Sequence, residues 1–196
     1  FNVSSGMDVK GSKVCITVTA NNFTNVESIQ LNISYNAALV IPDCPDSINF
    51  IGSALLPDIY PTSFNCKNSS NGYINFVWFS APTTVPDGSV LFTICFTLIG
   101  EPGNISPIYF NGQLLDIEIG QVDNNGNSFT TDEIISNTGT IKIISNTLAT
   151  YVYSCDADQN NVSAGGNLTF YATGGRPPYN YTISPGAYTG TTTLDG

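Results

Sequence analysis

The most constraining feature of this sequence is an alternation of apolar and polar residues with a period of two. It runs through residues 14–19, 29–35 and 90–98. This period places alternate side chains on opposite faces of an extended strand. Two sheets that each have an apolar face bury it by packing together, so the sequence predicts an all-β sandwich. The apolar positions are Val14, Ile16, Val18, Ile29, Leu31, Ile33, Tyr35, Val90, Phe92, Ile94, Phe96 and Leu98.

Charged residues are scarce. The 196 residues are 41% hydrophobic and only 10% charged, with five Lys or Arg and a net charge of −10. So few basic side chains disfavour binding to nucleic acid or to an anionic membrane surface. The most apolar run, residues 90–100, is too short to span a bilayer, so we expect no membrane insertion. Solubility supplied by Asn, Ser, Thr and Gly is typical of secreted and cell-surface β-proteins.

The sequence offers little for catalysis. It contains no His, which removes Ser-His-Asp and Cys-His chemistry and the commonest metal ligand. Its carboxylates are too few to single out an acid/base pair. We therefore expect no enzymatic activity and no organic cofactor.

Two segments carry oxygen ligands at alternate positions, as calcium loops do. Asp156, Asp158 and Asn160 form the first set, which lacks the Gly and the distant Glu of an EF-hand loop. The second is Asp123-Asn124-Asn125-Gly126-Asn127, whose Asn-Gly pair is typical of a hairpin turn. A solvated turn is the preferred interpretation of both.

Five segments, in order, resemble the strands of cohesin modules. The resemblance implies a cohesin-like antiparallel β-sandwich of the jelly-roll type, with nine strands, over residues 1–146. One departure is Asn36-Ala37, where the family usually has Asp-Pro. The matching segments are Gly11–Val14, Val26–Asn36, Gly72–Ala81, Asp87–Phe96 and Asn137–Ile143.

Residues 147–196 resemble a different family. The run from Gly174 to Tyr181 is similar to the Gly-Gly-x-Pro-Pro-Tyr-x-Tyr-x-Trp signature of SprB-type Ig-like repeats, which occur in large surface adhesins of Bacteroidetes. Cys155 matches their early Cys, whereas Ile183 stands where the signature has Trp. A strand is predicted on each side of the Pro-Pro turn. The resemblance implies a partial Ig-like unit that continues beyond residue 196.

Together the two resemblances imply a non-catalytic segment of a large secreted adhesin or extracellular fibre, which contacts protein partners or further copies of itself. The cohesin resemblance alone implies a dockerin-binding module. In cohesins the dockerin lies on the sheet represented here by residues 28–35 and 73–81. The outward residues of the first of these strands would be Gln30, Asn32 and Ser34.

A carbohydrate-binding module is a third alternative. Tyr60, Trp78, Phe79 and Tyr109 would stack on surface glycans if they lay in line on one face. Trp78 shares the strand parity of Ile74 and Phe76, however, which favours a place in the core.

Five Cys occur in the chain. In the arrangement that the cohesin resemblance implies, Cys15 and Cys95 lie on neighbouring antiparallel strands and can face each other. Cys44 and Cys66 lie in polar loop sequence, which favours a second disulfide. Cys155 would then be unpaired or would bond to another segment or chain. Sequence alone does not fix the pairing, and five reduced thiols remain the alternative.

Eight Asn-x-Ser/Thr sequons make a glycoprotein one interpretation, although a chain this rich in Asn, Ser and Thr produces several by composition alone. Asp46-Ser47-Ile48 also resembles the short site at which Bacteroidetes attach O-glycans. The glycosylation candidates considered below are Asn32, Asn68, Asn104 and Ser47.

Overall fold

The computed structural model describes residues 1–44, 55–132 and 134–145, and the backbone of four later strands at 149–153, 169–173, 179–183 and 188–192. These residues form strands and two short 3-10 turns, Pro61–Ser63 and Ser69–Asn71, which confirms the predicted all-β class. None of the described residues belongs to a helix long and apolar enough to cross a membrane. The chain divides into two compact units, Phe1–Ile143 and Ile144–Gly196. The domain assignment made from the sequence, with its boundary at residue 146, stays a prediction.

The described part of the first unit contains twelve strands, rather than the nine predicted. The excess arises from short strands such as β1 and β6, which have two residues each and leave almost no periodic signal. The strands are β1 (Asn2–Val3), β2 (Gly6–Val9), β3 (Lys13–Ala20), β4 (Val26–Ser34), β5 (Val40–Pro42), β6 (Phe64–Asn65), β7 (Tyr73–Thr83), β8 (Ser89–Leu98), β9 (Ile105–Asn111), β10 (Glu118–Val122), β11 (Ser128–Thr131) and β12 (Gly139–Ile144).

The strands form two sheets, in which the pairings around β8 and around β4 are antiparallel. One has the order β1–β3–β8–β5 and is called the four-stranded sheet below. The other is built around β4, which pairs with β7 along one edge and with both β9 and β10 along the other. In this second sheet β11 pairs with β10, β12 pairs with β9, and β2 pairs with β12. The short strand β6 pairs with β7.

Gly72 sets the start of β7. It has φ of +87°, and a Cβ at this position would collide with the carbonyl oxygen of Tyr35. Only glycine accepts this backbone conformation in this space. The chain thereby leaves the turn at Ser69–Asn71 and enters β7 opposite the end of β4.

The core lies between the two sheets and follows the predicted alternation. Ile16 on β3, Ile33 on β4 and Phe76 on β7 are all fully buried. Phe76 joins Phe64 and Phe92 in an aromatic cluster whose ring centroids lie 4.8–5.2 Å apart. Trp78 is also buried, as its parity predicts.

Strand β8 departs from the predicted pattern, because both of its faces are buried. Leu91, Thr93 and Cys95 have the opposite parity to Phe92 and Ile94, yet all five are buried. β8 lies inside the four-stranded sheet, between β3 and β5. The alternation predicts the core face but does not reveal whether the other face of a strand is covered as well.

Both favoured disulfides are present. Cys15 bonds to Cys95 at directly opposed positions of β3 and β8. Cys44, which follows β5, bonds to Cys66, which follows β6. Cys155 lies outside the described residues.

The second unit contains four described strands in two antiparallel pairs. β13 (Ala149–Tyr153) pairs with β14 (Thr169–Thr173), and β15 (Tyr179–Ile183) pairs with β16 (Tyr188–Thr192). The strands predicted on each side of the Pro-Pro turn correspond to β14 and β15. The identification of this unit as a partial Ig-like repeat stays a prediction.

Candidate partner-binding face

The outer face of β7 exposes large apolar side chains. Phe76 and Trp78 point into the core, so the alternation of the strand turns Val77 and Phe79 outward. The side chain of Phe79 is 75% exposed and that of Val77 is 42% exposed. Tyr60, in the turn beside β7, is also exposed. Exposed apolar side chains that lie next to one another in this way make the outer face of β7 a candidate contact surface.

Polar side chains flank the apolar cluster on the neighbouring strands. Ser28 lies opposite Phe79, and Gln30 lies opposite Val77. On the far side of β4, Glu118 of β10 stands opposite Gln30. The amide of the Gln30 side chain donates to the carbonyl of Asp116 at 3.1 Å. We call the surface formed by Val77, Phe79, Ser28 and Gln30 the β4–β7 face.

The structure corrects the predicted outward set on β4. Gln30 is half-buried, but Asn32 and Ser34 are buried. The segment that follows β9 passes over Asn32, whose Oδ1 accepts from the amides of Leu114 and Leu115 at 3.0 and 2.8 Å. The prediction that Asn32 and Ser34 lie on an open face is therefore wrong.

The glycosylation candidates are placed differently. The Asn32 side-chain nitrogen is buried and donates to Oδ1 of Asn75 at 2.7 Å, so this sequon is not available on the folded chain. Asn68 and Asn104 are half-buried, and glycosylation there stays a prediction. Ser47 lies outside the described residues.

A groove of about 470 Å³ runs between β7 and the turn that contains Tyr60. The indole nitrogen of Trp78 donates to the carbonyl of Pro57 at 2.6 Å and fixes this turn beside the strand. The Asp58 carboxylate lies in the groove and accepts from Ser80 at 2.7 Å and from the Tyr60 hydroxyl at 3.3 Å. Asp58 has φ of +59°, which is uncommon for a residue with a side chain.

The four aromatic residues of the carbohydrate alternative do not share one surface. Trp78 is buried in the core. Tyr109 lies opposite Ser34 of β4, whereas Phe79 lies opposite Ser28. At about 3.3 Å per residue these positions on β4 are about 20 Å apart. Tyr60, Trp78 and Phe79 line the same groove, but of these only Tyr60 and Phe79 are exposed.

The Asp123 segment forms the predicted hairpin turn between β10 and β11. One carboxylate oxygen of Asp123 accepts from the amides of Asn125 and Asn127, each at 2.8 Å. These bonds, with those from Asn127 foremost, lower the pKa of Asp123. Asp156, Asp158 and Asn160 lie outside the described residues. Elsewhere in the described chain, no three acidic, Cys or His side chains converge as metal ligands would.

Comparison with known proteins shows similarity at the level of fold. No protein-family profile matches the chain, and no curated protein matches it either. The third cohesin of ScaC from Acetivibrio cellulolyticus, in complex with the ScaB dockerin, matches with a TM-score of 0.56 and 19% identity. That match covers 74% of this chain and 97% of the cohesin.

Two further solved structures agree with this result. The Coh-OlpA–Doc918 cohesin–dockerin complex from Clostridium thermocellum matches with a TM-score of 0.53 and 20% identity, over 72% of this chain and 96% of that chain. CaCohA2 from Clostridium acetobutylicum matches with a TM-score of 0.52 and 20% identity, over 72% and 89%. The sandwich of this chain therefore has the fold of cohesin domains.

Proposed function

We propose that the chain is a non-catalytic protein-binding module, and that its β4–β7 face contacts the partner. The observation that carries this proposal is the exposure of Val77 and Phe79 on a strand whose other face is a tightly packed core. Exposed aromatic anchors surrounded by polar groups are the usual centre of a protein interface. Ser28 and Gln30 supply such groups here.

The proposed location is extracellular. Two disulfides, one of them cross-strand, persist in oxidising compartments and are rare in the cytosol. A chain with 10% charged residues and a net charge of −10 also fits the composition of secreted β-proteins. Both observations support secretion of the protein.

Within this class, our first proposal is a segment of a large surface adhesin or extracellular fibre. The resemblance of residues 147–196 to SprB-type repeats supports it. A dockerin-binding module is the second candidate, which the cohesin fold favours because two of the matching structures are cohesins bound to dockerins. The burial of Asn32 and Ser34 leaves less of β4 for such a partner. Carbohydrate binding has only Tyr60 and Phe79 in its favour.

The test measures binding of the 196-residue chain to defined probes by calorimetry. The protein probes are the ScaB dockerin, Doc918, collagen, fibronectin and mucin, and the glycan probes are soluble oligosaccharides. Sedimentation reports self-association. We expect at least one protein probe, or a second copy, to bind and to lose about 30-fold in affinity in Phe79→Ser.

Ile41→Ser is the matched control, because Ile41 is also a large exposed apolar residue but lies on β5 of the other sheet. It should leave the affinity unchanged. Binding of glycans alone would reassign the face to carbohydrate. Protein binding that is insensitive to Phe79→Ser would place the contact elsewhere on the molecule.

A further inference from the structure

We propose that Asn111 is a site of spontaneous covalent modification, at which the chain rearranges to isoaspartate and loosens the segment that covers β4. The rearrangement is easiest at an Asn-Gly pair, because glycine places no side chain beside the reacting groups. The chain contains three such pairs, Asn71-Gly72, Asn111-Gly112 and Asn125-Gly126. The structure gives these three pairs different environments.

The reaction needs only water as a co-reactant. The backbone nitrogen of Gly112 loses its proton and attacks Cγ of Asn111, and the side-chain nitrogen takes up a proton and leaves as ammonia. Water then opens the resulting succinimide at either carbonyl carbon. Cleavage between the Gly112 nitrogen and Cγ gives Asp, whereas cleavage between that nitrogen and the backbone carbonyl carbon gives isoaspartate. Both products carry a carboxylate in place of a neutral amide.

The hydrogen bonds of the three glycine amides differ. Because the attacking group is a deprotonated amide, a hydrogen bond that the N–H donates opposes the reaction. The amide of Gly72 donates to the carbonyl of Ser69 at 3.1 Å, and that of Gly126 donates to the carbonyl of Asp123 at 3.0 Å. Gly112 follows the last residue of β9 and is exposed. Within the described residues its amide, unlike the other two, donates to no acceptor.

The side chain of Asn111 is folded toward the attacking nitrogen. The amide of Gln113 donates to Oδ1 of Asn111 at 3.5 Å, so the side chain bends forward over the peptide of Gly112. A contact of this length lies at the limit of hydrogen bonding and restrains the carboxamide weakly. Asn111 therefore combines a free attacking amide with a reacting carbon that is placed beside it.

The segment that follows Asn111 is the segment that covers β4. Asn111 stands opposite Asn32, and Oδ1 of Asn32 accepts from the amides of Leu114 and Leu115 at 3.0 and 2.8 Å. Isoaspartate routes the main chain through the side-chain carbon, which lengthens the backbone by about 1.5 Å, the length of one carbon–carbon bond. Hydrogen bonds weaken steeply when their geometry is disturbed. The rearrangement therefore loosens the cover over Asn32, which is otherwise fully buried.

The new carboxylate also enters an acidic surface. Gly112 lines a groove of about 520 Å³ together with Asp116, Glu118 and Asp132. Among the ion pairs of the described residues, none joins these three carboxylates to Lys or Arg. Like charges repel one another, so a further negative charge at residue 111 acts in the same direction as the longer backbone.

The test follows the three Asn-Gly pairs in the 196-residue chain by peptide mapping during incubation at mildly alkaline pH. An isoaspartate-specific methyltransferase identifies the rearranged product. We expect Asn111 to convert about tenfold faster than Asn71 or Asn125, because its amide gives up no hydrogen bond. In urea, with the disulfides reduced, the three pairs should convert at similar rates, because the unfolded chain frees all three glycine amides.

Two variants separate the chemistry from its effect on the fold. Gly112→Ala should slow conversion about tenfold, because a Cβ hinders ring closure. A Cβ at Gly112 would meet no atom closer than 3.5 Å, so this variant keeps the fold. Asn111→Asp is the matched charge control, since it supplies the carboxylate without lengthening the backbone. Hydrogen exchange at Leu114 and Leu115 should accelerate more in the converted chain than in Asn111→Asp.

Each alternative result has a definite meaning. Equal conversion at the three pairs of the folded chain, or faster conversion at Asn71 or Asn125, would overturn the assignment of the site. The same order of rates in urea would overturn the role of the free Gly112 amide. Conversion at Asn111 with unchanged exchange at Leu114 and Leu115 would overturn the loosening of the cover and leave the modification site standing.

Discussion

The two sheets of the sandwich differ in what they expose. In the four-stranded sheet, β8 is buried on both faces and is bonded covalently to β3 through Cys15–Cys95. In the sheet built around β4, the segment that follows β9 covers the outer face of β4 at Asn32, whereas the outer face of β7 is open at its centre. Val77 and Phe79 remain at the surface on the outer face.

This difference indicates that the four-stranded sheet has a supporting role, whereas the sheet built around β4 carries the candidate contact residues. A strand that is buried on both faces and cross-linked cannot shift its register without breaking a covalent bond, so the four-stranded sheet fixes the position of the core. The opposite sheet packs against that fixed layer and holds Val77 and Phe79 in place. Contact residues held by strands are positioned more accurately than residues on loops.

The largest expected effect concerns the two disulfides. Replacing Cys15 and Cys95 with Ser should lower the free energy of unfolding by about 4.5 kcal/mol, because the bond closes a loop with a sequence separation of 80. The same replacement of Cys44 and Cys66, with a separation of 22, should cost about 3 kcal/mol. Urea denaturation of the two double variants measures both values. A larger loss for the Cys44–Cys66 variant would contradict the assignment of the supporting role to the four-stranded sheet.

The next effect compares two faces of one strand. Phe76→Ala should destabilise the chain by about 3–5 kcal/mol, because Phe76 is buried against Phe64 and Phe92. Phe79→Ala should change stability by no more than about 0.5 kcal/mol, because the side chain is exposed. Thermal unfolding of both variants measures the contrast. Equal losses would mean that Phe79 is covered, and the β4–β7 face would no longer be a candidate interface.

A smaller effect on stability is expected at the end of β4 that the segment following β9 covers. Asn32→Ala removes the acceptor used by the amides of Leu114 and Leu115, so we expect a loss of about 2 kcal/mol. Hydrogen exchange should also accelerate at these two amides. Gln30→Ala is the control, since its half-buried side chain makes one bond to Asp116 and should cost about 0.5 kcal/mol. Unchanged exchange at Leu114 and Leu115 would show that another group covers β4.

The sequence predicted the strands whose inner faces form the core. The alternation in β3 and β4 placed Ile16 and Ile33 correctly, and the parity of Trp78 placed it inside. These predictions succeed because the two-residue period is a local property of extended backbone and needs no knowledge of the partner strand. The Asn-Gly turn after Asp123 was predictable for the same reason, since it depends on neighbouring residues only.

Only the tertiary structure decided which outward residues are accessible. Asn32 and Ser34 have the parity of an open face, but the segment carrying Leu114 and Leu115, some 80 residues later in the chain, covers Asn32. The groove beside Val77 and Phe79 likewise depends on how the turn at Tyr60 is held. The sequence by itself determined the strands and the face that each turns to the core, because both follow from local backbone geometry. Which of the remaining surface stays open depends on contacts between distant segments, and a local pattern carries no record of them.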